Sequence, residues 1–456
     1  MSIGSSQSAS LRSDGILRVG IVGGGASGVI TAARLLRDTP SALEVVIFEK
    51  RVELGQGVAY STPDPLHLLN VPACRMSAFP EDSRHFVDWA ACNDDDFQPR
   101  FLYAEYLQFV LRQASFISSK KNRIIHVQQV VTNIGLSPNP WVVTCTGGYF
   151  DFDFIVLATG HDAPVVPRVI AEADIDKTKV VNDPWDQQAL KVIGDDETVL
   201  VVGSGLTFVD VALSLHTRAP ATIVHATSRH GLMPQSHDDP RNDRPPAPTW
   251  DPKTISLDKI LRYVKGFGSE WRSGVDSLRP VTPELWQSFD SETKERFAEH
   301  LCRYWDVHRH RTAPGVGLIL DDLLTSKRVH VHQAEVVSVV DSARGLHVDL
   351  DSGQSIEADH IVVCTGPSGD VRNNSLGRLL VARGYAQPGP LNWGYLVDAG
   401  TGALINGKSH ADHRLLAIGP LRKGVLGEST AIPEIRQQAA DIARTIAAAV
   451  ERQRTA

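Results

Sequence analysis

The sequence predicts an α/β chain in which two copies of one strand–glycine turn–helix fold are nested, with a mainly helical insertion in the second. Three observations predict this. An apolar run, Val19–Val22, enters Gly23-Gly24-Gly25-Ala26-Ser27-Gly28, and Val29–Leu36 follows at helical spacing. A second run, Thr198–Val202, enters Gly203-Ser204-Gly205-Leu206-Thr207-Phe208 and an apolar helix through Leu215. Val130–Gly160 also aligns without a gap on Val336–Gly366, with Asp153 over Asp359, so one supersecondary unit occurs twice. Strand, GxGxxG and helix in that order make the first unit a Rossmann-like dinucleotide-binding fold, and the repeat extends the reading to the second. A chain of 456 residues is expected to form two or three domains.

In the first turn Gly23 makes the tight bend, Gly25 lets a pyrophosphate approach the backbone, and Gly28 lets helix and strand pack closely. The N–H groups of Ala26, Ser27 and Gly28 open the helix and offer themselves, with the positive end of its dipole, to phosphate. The next apolar run, Glu44–Phe48, ends in Glu49, 21 residues beyond Gly28, where an acid takes ribose hydroxyls. In the second turn Phe208 replaces the third glycine, so this helix packs less closely. Its following strand, Ala221–Ala226, leads to Arg229 instead of an acid. A cation there suits a ribose 2′-phosphate and favours NADPH over NADH, a surface arginine being the alternative.

Between these turns lie special-residue loops: Gly55-Gln56-Gly57-Val58-Ala59-Tyr60, then Leu66–Pro72, then Arg75–Pro80. Such loops line sites or tie down turns; for His67 and Asn70 backbone capping is the alternative. Phe101–Ala114 reads as a helix with Leu102, Tyr106, Leu107, Val110 and Leu111 on one face and Tyr103 and Tyr106 as packing residues; Arg100 just before it is expected in solvent or a salt bridge, with a phosphate contact the alternative. Phe154–Leu157 is a buried strand stopping at Ala158-Thr159-Gly160, matched by Cys364-Thr365-Gly366. From Met233 to about Val329 the α/β rhythm breaks, with helices over Ser256–Val264, Pro283–Phe289 and Glu292–His308. The cluster Arg303–Arg311 lacks metal-ligand spacing, so no metal site is expected. A cation-rich helix C-terminus is favoured there over a substrate-anion clamp by Arg309 and Arg311. Leu415–Pro420 is a third buried strand, ending at Gly419. Lys423–Ala431 leads into a long closing helix from Ile432 to about Arg452, with Thr430 and Ala431 at its start.

Composition narrows the function classes. With 42% hydrophobic and 22% charged residues and a net charge of −7, the chain is an ordinary globular one without a basic block, which argues against nucleic acid. Five scattered cysteines without CxxC argue against a disulfide reductase and for a reducing, cytoplasmic setting. No apolar run reaches membrane-spanning length, and the polar, Ser-rich start does not read as a signal peptide.

With two nested dinucleotide folds, the chain resembles the flavin-containing and N-hydroxylating monooxygenases, and within them a bacterial family of FAD/NAD(P)-binding proteins, over about Arg18 to Thr445. The resemblance implies FAD on Gly23, Gly25, Ala26, Ser27, Gly28 and Glu49, with Lys50, Gln56, Tyr60, Leu69, Met76, Val131, Thr159, Gly160, Gly419, Thr430 and Ala431 around it. It implies NADPH on Gly203, Ser204, Gly205, Thr207 and Gly366, with Arg229 matching the 2′-phosphate residue. Those enzymes carry an Asn-x-Pro…Met…Phe-Pro stretch beside the flavin. Leu69-Asn70-Val71-Pro72, Met76 and Phe79-Pro80 are similar to it, which makes Asn70 the expected catalytic residue at the flavin edge and nicotinamide. The Phe-x-Gly-x-x-x-His signature of that group is replaced here by Lys179–Trp185.

The implied domains are a disordered tail at 1–14, FAD-binding parts at 15–165 and 371–456, NADPH-binding parts at 166–235 and 329–370, and a helical substrate lid at 236–328. The implied reaction is NADPH- and dioxygen-dependent hydroxylation of a nitrogen or sulfur through a flavin C4a-hydroperoxide. Trp271, Arg279, Trp305 and Arg309 are expected over the substrate, the arginines suiting a carboxylate. The partners expected are a small-molecule substrate and dioxygen, without nucleic acid or membrane; self-association into a homo-oligomer is left open. The rival readings are an NADPH-dependent flavoprotein reductase and a non-catalytic FAD-binding redox sensor.

Overall fold

Near-continuous apolar runs suit strands covered on both faces, and the chain uses them for two parallel sheets. The computed structural model describes residues 15–39, 42–118, 121–136, 141–238, 245–252 and 254–455. The tail at 1–14 lies outside the described residues, as do 239–244 of the Pro/Asp/Arg loop. Strand β1 (Leu17–Val22) is followed by helix α1 (Ala26–Asp38), β2 (Leu43–Phe48), helix α2 (Arg100–Ile117) and β3 (Arg123–Val127). A three-stranded antiparallel sheet of β4 (Val131–Leu136), β5 (Trp141–Cys145) and β6 (Gly148–Phe152) comes next, and β7 (Phe154–Leu157) returns to pair with β1.

The pattern then repeats. After β8 (Val180–Val181), strand β9 (Thr198–Val202), helix α3 (Leu206–Arg218) and β10 (Ile223–Ser228) rebuild the βαβ unit. Strand β11 (Val329–Gln333) precedes a second antiparallel trio, β12 (Val336–Ser342), β13 (Gly345–Leu350) and β14 (Ser355–Ala358), and β15 (His360–Val363) returns beside β9. All five strands of this sheet, in the order β11-β10-β9-β15-β8, are parallel. Strands β16 (Ala403–Ile405) and β17 (Ala411–Ala417) go back to the first sheet, ordered β16-β17-β7-β1-β2-β3 and parallel except at β16. The aligned aspartates show why the repeat recurs. Asp153 accepts the Arg18 N–H at 2.8 Å and donates its own N–H to the Arg18 carbonyl. Asp359 does the same with Thr198 at 2.8 Å. Each pins the entry of the returning strand to the foot of the glycine-turn strand.

Each sheet has helices on one face and its antiparallel trio on the other. On the first sheet Val19, Ile21, Val29, Tyr103, Tyr106 and Leu107 pack together with Ile442 and Ile446 of the last helix, Ile432–Thr455. Tyr103 and Tyr106 are core residues, and Leu102 is only half-buried. Residues 165 and 366 lie where the two connections between the folds pass side by side: Val165 donates to the Gly366 carbonyl, and Thr365 Oγ1 donates to the Val165 carbonyl at 2.6 Å.

The insertion forms α4 (Leu257–Lys265), α5 (Trp271–Leu278), α6 (Thr282–Ser288), α7 (Ser291–Arg296) and α8 (Cys302–Arg309), with a π turn at Phe297–Leu301 splitting the expected helix over Glu292–His308. Its expected end near 328 needs correction. Helix α9 (Pro314–Thr325) places Val316, Leu320 and Leu323 in one core with Phe208, Leu213 and Val329. It is the crossover between β10 and β11, and belongs to the second fold. Among the described residues no helix is long and apolar enough to cross a membrane.

Candidate functional site

Both glycine turns sit at the carboxyl ends of their central strands, where open α/β sheets take ligands. In the first, Gly23 has φ +108°, and a Cβ there would stand 2.3 Å from the Ala158 carbonyl oxygen. A Cβ on Gly28 would stand 2.0 Å from the Gly23 oxygen. The turn therefore needs glycine at both places. Gly25 caps α1 without any side-chain bond, which leaves the first N–H groups of the helix, from Ala26 and Ser27 onward, for an anion. Glu49 is buried and accepts the Gly24 N–H at 3.0 Å and the Arg51 N–H at 3.0 Å. Its carboxylate is thereby fixed beside the turn with lone pairs to spare.

Other expected residues converge here. Gly55 donates to the Gly24 carbonyl, so the Gly55–Gly57 loop carrying Gln56 folds over the turn. Gly419 ends β17 so close to α1 that a Cβ would stand 2.7 Å from Ser27 Oγ. Gly160 has φ +72° and open space where a Cβ would be, with Thr159 exposed beside it. Thr430 and Ala431 precede the last helix, and Ala431 accepts the N–H groups of Glu434 and Ile435. Lys50 is exposed at the rim. Leu69, Met76 and Val131 are packed into the cores at 3%, 2% and 7% exposure. The Tyr60 ring packs on Tyr103 at 4.8 Å, and burial pushes its phenol pKa up.

The second turn is built differently. Gly203, with φ +117°, would put a Cβ 2.3 Å from the Cys364 carbonyl oxygen, as Gly23 does with Ala158. Phe208 is fully buried among Val209, Leu213 and Leu320. Ser204 is committed to the protein: its hydroxyl pairs with Ser228 Oγ at 2.7 Å and the Leu232 carbonyl. Gly205 is exposed, caps α3 without a side-chain bond, and has nothing within 4 Å of a built Cβ; Thr207 stands in the first turn of α3. Gly366 likewise has open space and φ +75°. Arg229 is 74% exposed just beyond β10, with Glu335 at 3.8 Å. Uncapped helix starts fit dinucleotide phosphates at both turns, with open space at Gly160 beside the first and at Gly205 and Gly366 in and beside the second.

Loops of the first fold reach across to the second. Arg100 makes the salt bridge that was one of its expected placements: it pairs with Asp210 of α3 at 2.7 Å and donates to the Leu68 carbonyl. His67 is a clasp rather than a site residue. Its ring nitrogens meet Thr62 Oγ1 at 2.7 Å, the Asp210 carbonyl at 2.9 Å and Ser214 Oγ at 3.0 Å. Asn70 is half-buried, its carbonyl accepts from His237 Nε2 at 3.1 Å, and its side-chain amide makes no hydrogen bond among the described residues. The His237 pKa is pushed down to about 4, by burial first and by Arg311 second, so the ring is neutral near pH 7.

The expected carboxylate clamp is not there. Arg279 grips Glu434 with Nε at 2.8 Å and Nη2 at 3.0 Å. Arg309 grips Glu428 at 2.8 Å, and Arg311 pairs with Asp276. These arginines fasten the insertion and do not await a substrate. Among the described residues no group of three His, Cys, Asp or Glu side chains could hold a metal. Insertion helices and Gly427–Thr430 enclose a cavity of about 660 Å³ that includes Trp271 and Trp305 but neither Arg279 nor Arg309.

The sequence model of the FAD-NAD(P)-binding family matches residues 20–162 and 317–368, which hold both glycine-turn sheets' returning strands and the first turn. Among curated proteins the chain is 25% identical over 222 residues to a flavin-containing monooxygenase of Aspergillus flavus, covering 44% of this chain and 50% of that one. It is 24% identical over 229 residues to a monooxygenase of Penicillium crustosum, covering 48% and 37%. It thus spans half or less of the length of the curated relatives it matches. In fold, an ornithine hydroxylase of Pseudomonas aeruginosa superposes with a TM-score of 0.65 at 14% identity over 95% of this chain and 99% of that one. An L-lysine 6-monooxygenase of Pseudomonas syringae gives 0.64 at 17% over 95% and 99%. A bacillithiol disulfide reductase of Staphylococcus aureus gives 0.58 at 14% over 95% and 98%. The chain therefore shares its fold with these three enzymes. None of the thiols with a resolved pKa shift is activated: burial raises Cys92 and Cys364, and pushes Cys302 up to about 12.

Proposed function

We propose that this protein is an FAD-dependent, NADPH-using monooxygenase that hydroxylates a nitrogen or sulfur of a small molecule. One observation carries the reading: the two sheets each end in a glycine turn that leads into an uncapped helix start, the first with a buried acid beside it and the second with an exposed arginine. FAD bound at the first turn would supply electron transfer from NADPH and the activation of dioxygen. The α1 N–H groups would hold its pyrophosphate and Glu49 its ribose hydroxyls. Gly205, Thr207 and the α3 N–H groups would hold the NADPH phosphates, and Arg229 the 2′-phosphate. Asn70 would donate its amide N–H at the flavin edge, its main chain steadied by the neutral His237 ring. The insertion, clasped by Arg279 and Arg309, would exclude water.

The test mixes the flavin-loaded protein with NADPH anaerobically and then admits oxygen. The reading expects bleaching of the flavin and, with a substrate, one added oxygen atom in the product per NADPH oxidised. Fast oxidation of NADPH by artificial acceptors without oxygenated product would replace it with the reductase reading. A flavin that NADPH never bleaches would leave a non-catalytic binding protein.

A further inference from the structure

The cavity beneath the insertion has a chemistry of its own. It holds about 660 Å³, within the size range of sites for drug-sized ligands. Rings dominate its wall: Trp271, Trp286, Trp305, Trp393, Phe289 and Phe297. Leucines and valines of α4 and α5 complete it. No arginine lines it, and the neighbouring ones are spent on Glu428, Glu434 and Asp276. Of its two lysines, Lys265 is exposed and Lys423 lies over the Trp393 ring at 4.7 Å. Two acids, Asp306 and Glu428, share the wall with them. A ligand carboxylate entering here would be desolvated with no guanidinium and one half-buried ammonium, Lys423, in the wall, opposite Asp306 and the Arg309-paired Glu428.

Ser429 belongs to the wall, but it is fully buried and its hydroxyl opens no surface onto the cavity. Ser429 directly precedes Thr430 and Ala431, at the start of the helix whose Gln438 holds the Gly419 N–H beside the first glycine turn.

We infer that this cavity takes a bulky, ring-bearing apolar molecule without a carboxylate. The inference rests on the proposed function and names the substrate class of that site. It departs from the amino acids in the names of the fold neighbours.

Binding without turnover tests it. The oxidised, flavin-loaded protein is titrated calorimetrically with tryptamine, L-tryptophan and L-ornithine, the first two differing by one carboxylate. Tryptamine is expected to bind at least tenfold more tightly than either amino acid. Leu261→Trp, which fills the cavity, is expected to weaken tryptamine at least tenfold; Val264→Phe serves if the first variant loses its flavin. Ornithine binding as tightly as tryptamine, binding of none of the three, or tryptamine binding indifferent to the filled cavity would each overturn the inference. Anaerobic reduction by NADPH, measured on the same sample, separates the two claims. Reduction with ornithine preferred sinks the substrate class alone; tryptamine binding without reduction sinks the proposed function and leaves the cavity assignment standing.

Discussion

The two glycine turns share a plan and differ at two positions, and the differences separate what a turn needs to fold from what it needs to discriminate. Both require glycine at the first place, Gly23 and Gly203, because a carbonyl of the returning strand lies 2.3 Å from where a Cβ would be. At the third place the solutions diverge. Gly28 brings α1 down onto its own turn, whereas Phe208 fills the space under α3 with a buried ring. At the end of the next strand one fold places the buried Glu49 and the other leaves Arg229 in solvent. Backbone sterics are common to the pair; charge and exposure are where the ligands would part.

Substitutions can break this comparison. Phe208→Ala should cost the most, about 3–5 kcal/mol, because it opens a void in the second core. Denaturant unfolding would measure it, and a cost under 1 kcal/mol would mean the ring is not what supports α3. Gly28→Ala acts by the opposite mechanism, overpacking, and should cost about 3 kcal/mol and lower flavin retention, read from absorbance after gel filtration. Glu49→Gln keeps the shape but weakens the bond to Gly24 N–H, for about 1–2 kcal/mol and a visible loss of bound flavin. Arg229→Ala touches no core and should leave stability unchanged while raising the KM for NADPH about tenfold, roughly 1.4 kcal/mol, with NADH little affected. Equal effects on both nucleotides would remove Arg229 from the 2′-phosphate.

A pH-dependent effect lies at the contact between the folds. The His237 pKa, pushed down to about 4, means the unfolded chain takes up a proton near pH 6.5 that the folded one refuses. Its contribution to stability is therefore complete above pH 6.5 and lost as pH falls toward 4. The Tm of His237→Gln should fall less between pH 7 and 4.5 than that of the unchanged protein.

Much of the fold was legible because its constraints are local. Apolar runs, glycines at fixed offsets and a gap-free repeat need no knowledge of distant partners. The aligned Asp153 and Asp359 turned out to be hydrogen-bonded twins, a detail the alignment marks without explaining. The site was less legible where partners lie far apart in sequence. Arg279 and Arg309 look like free cations until Glu434 and Glu428, well over a hundred residues away, are brought against them. His67 was ambiguous for the same reason, its partners being on α3. Met76 and Val131 were chosen by order and position, while burial, which order does not reveal, puts their side chains in the cores. The end of the insertion was misplaced because α9 continues the helical pattern and only its packing under β10 and β11 assigns it.

The central claim is that the first turn holds a flavin and the second the nucleotide that reduces it. Anaerobic stopped-flow reduction of the purified protein by NADPH and by NADH tests this most directly, with Arg229→Ala run beside it. The account predicts flavin bleaching that saturates at lower NADPH than NADH, a preference the substitution abolishes. A bound flavin that neither nucleotide reduces would contradict it.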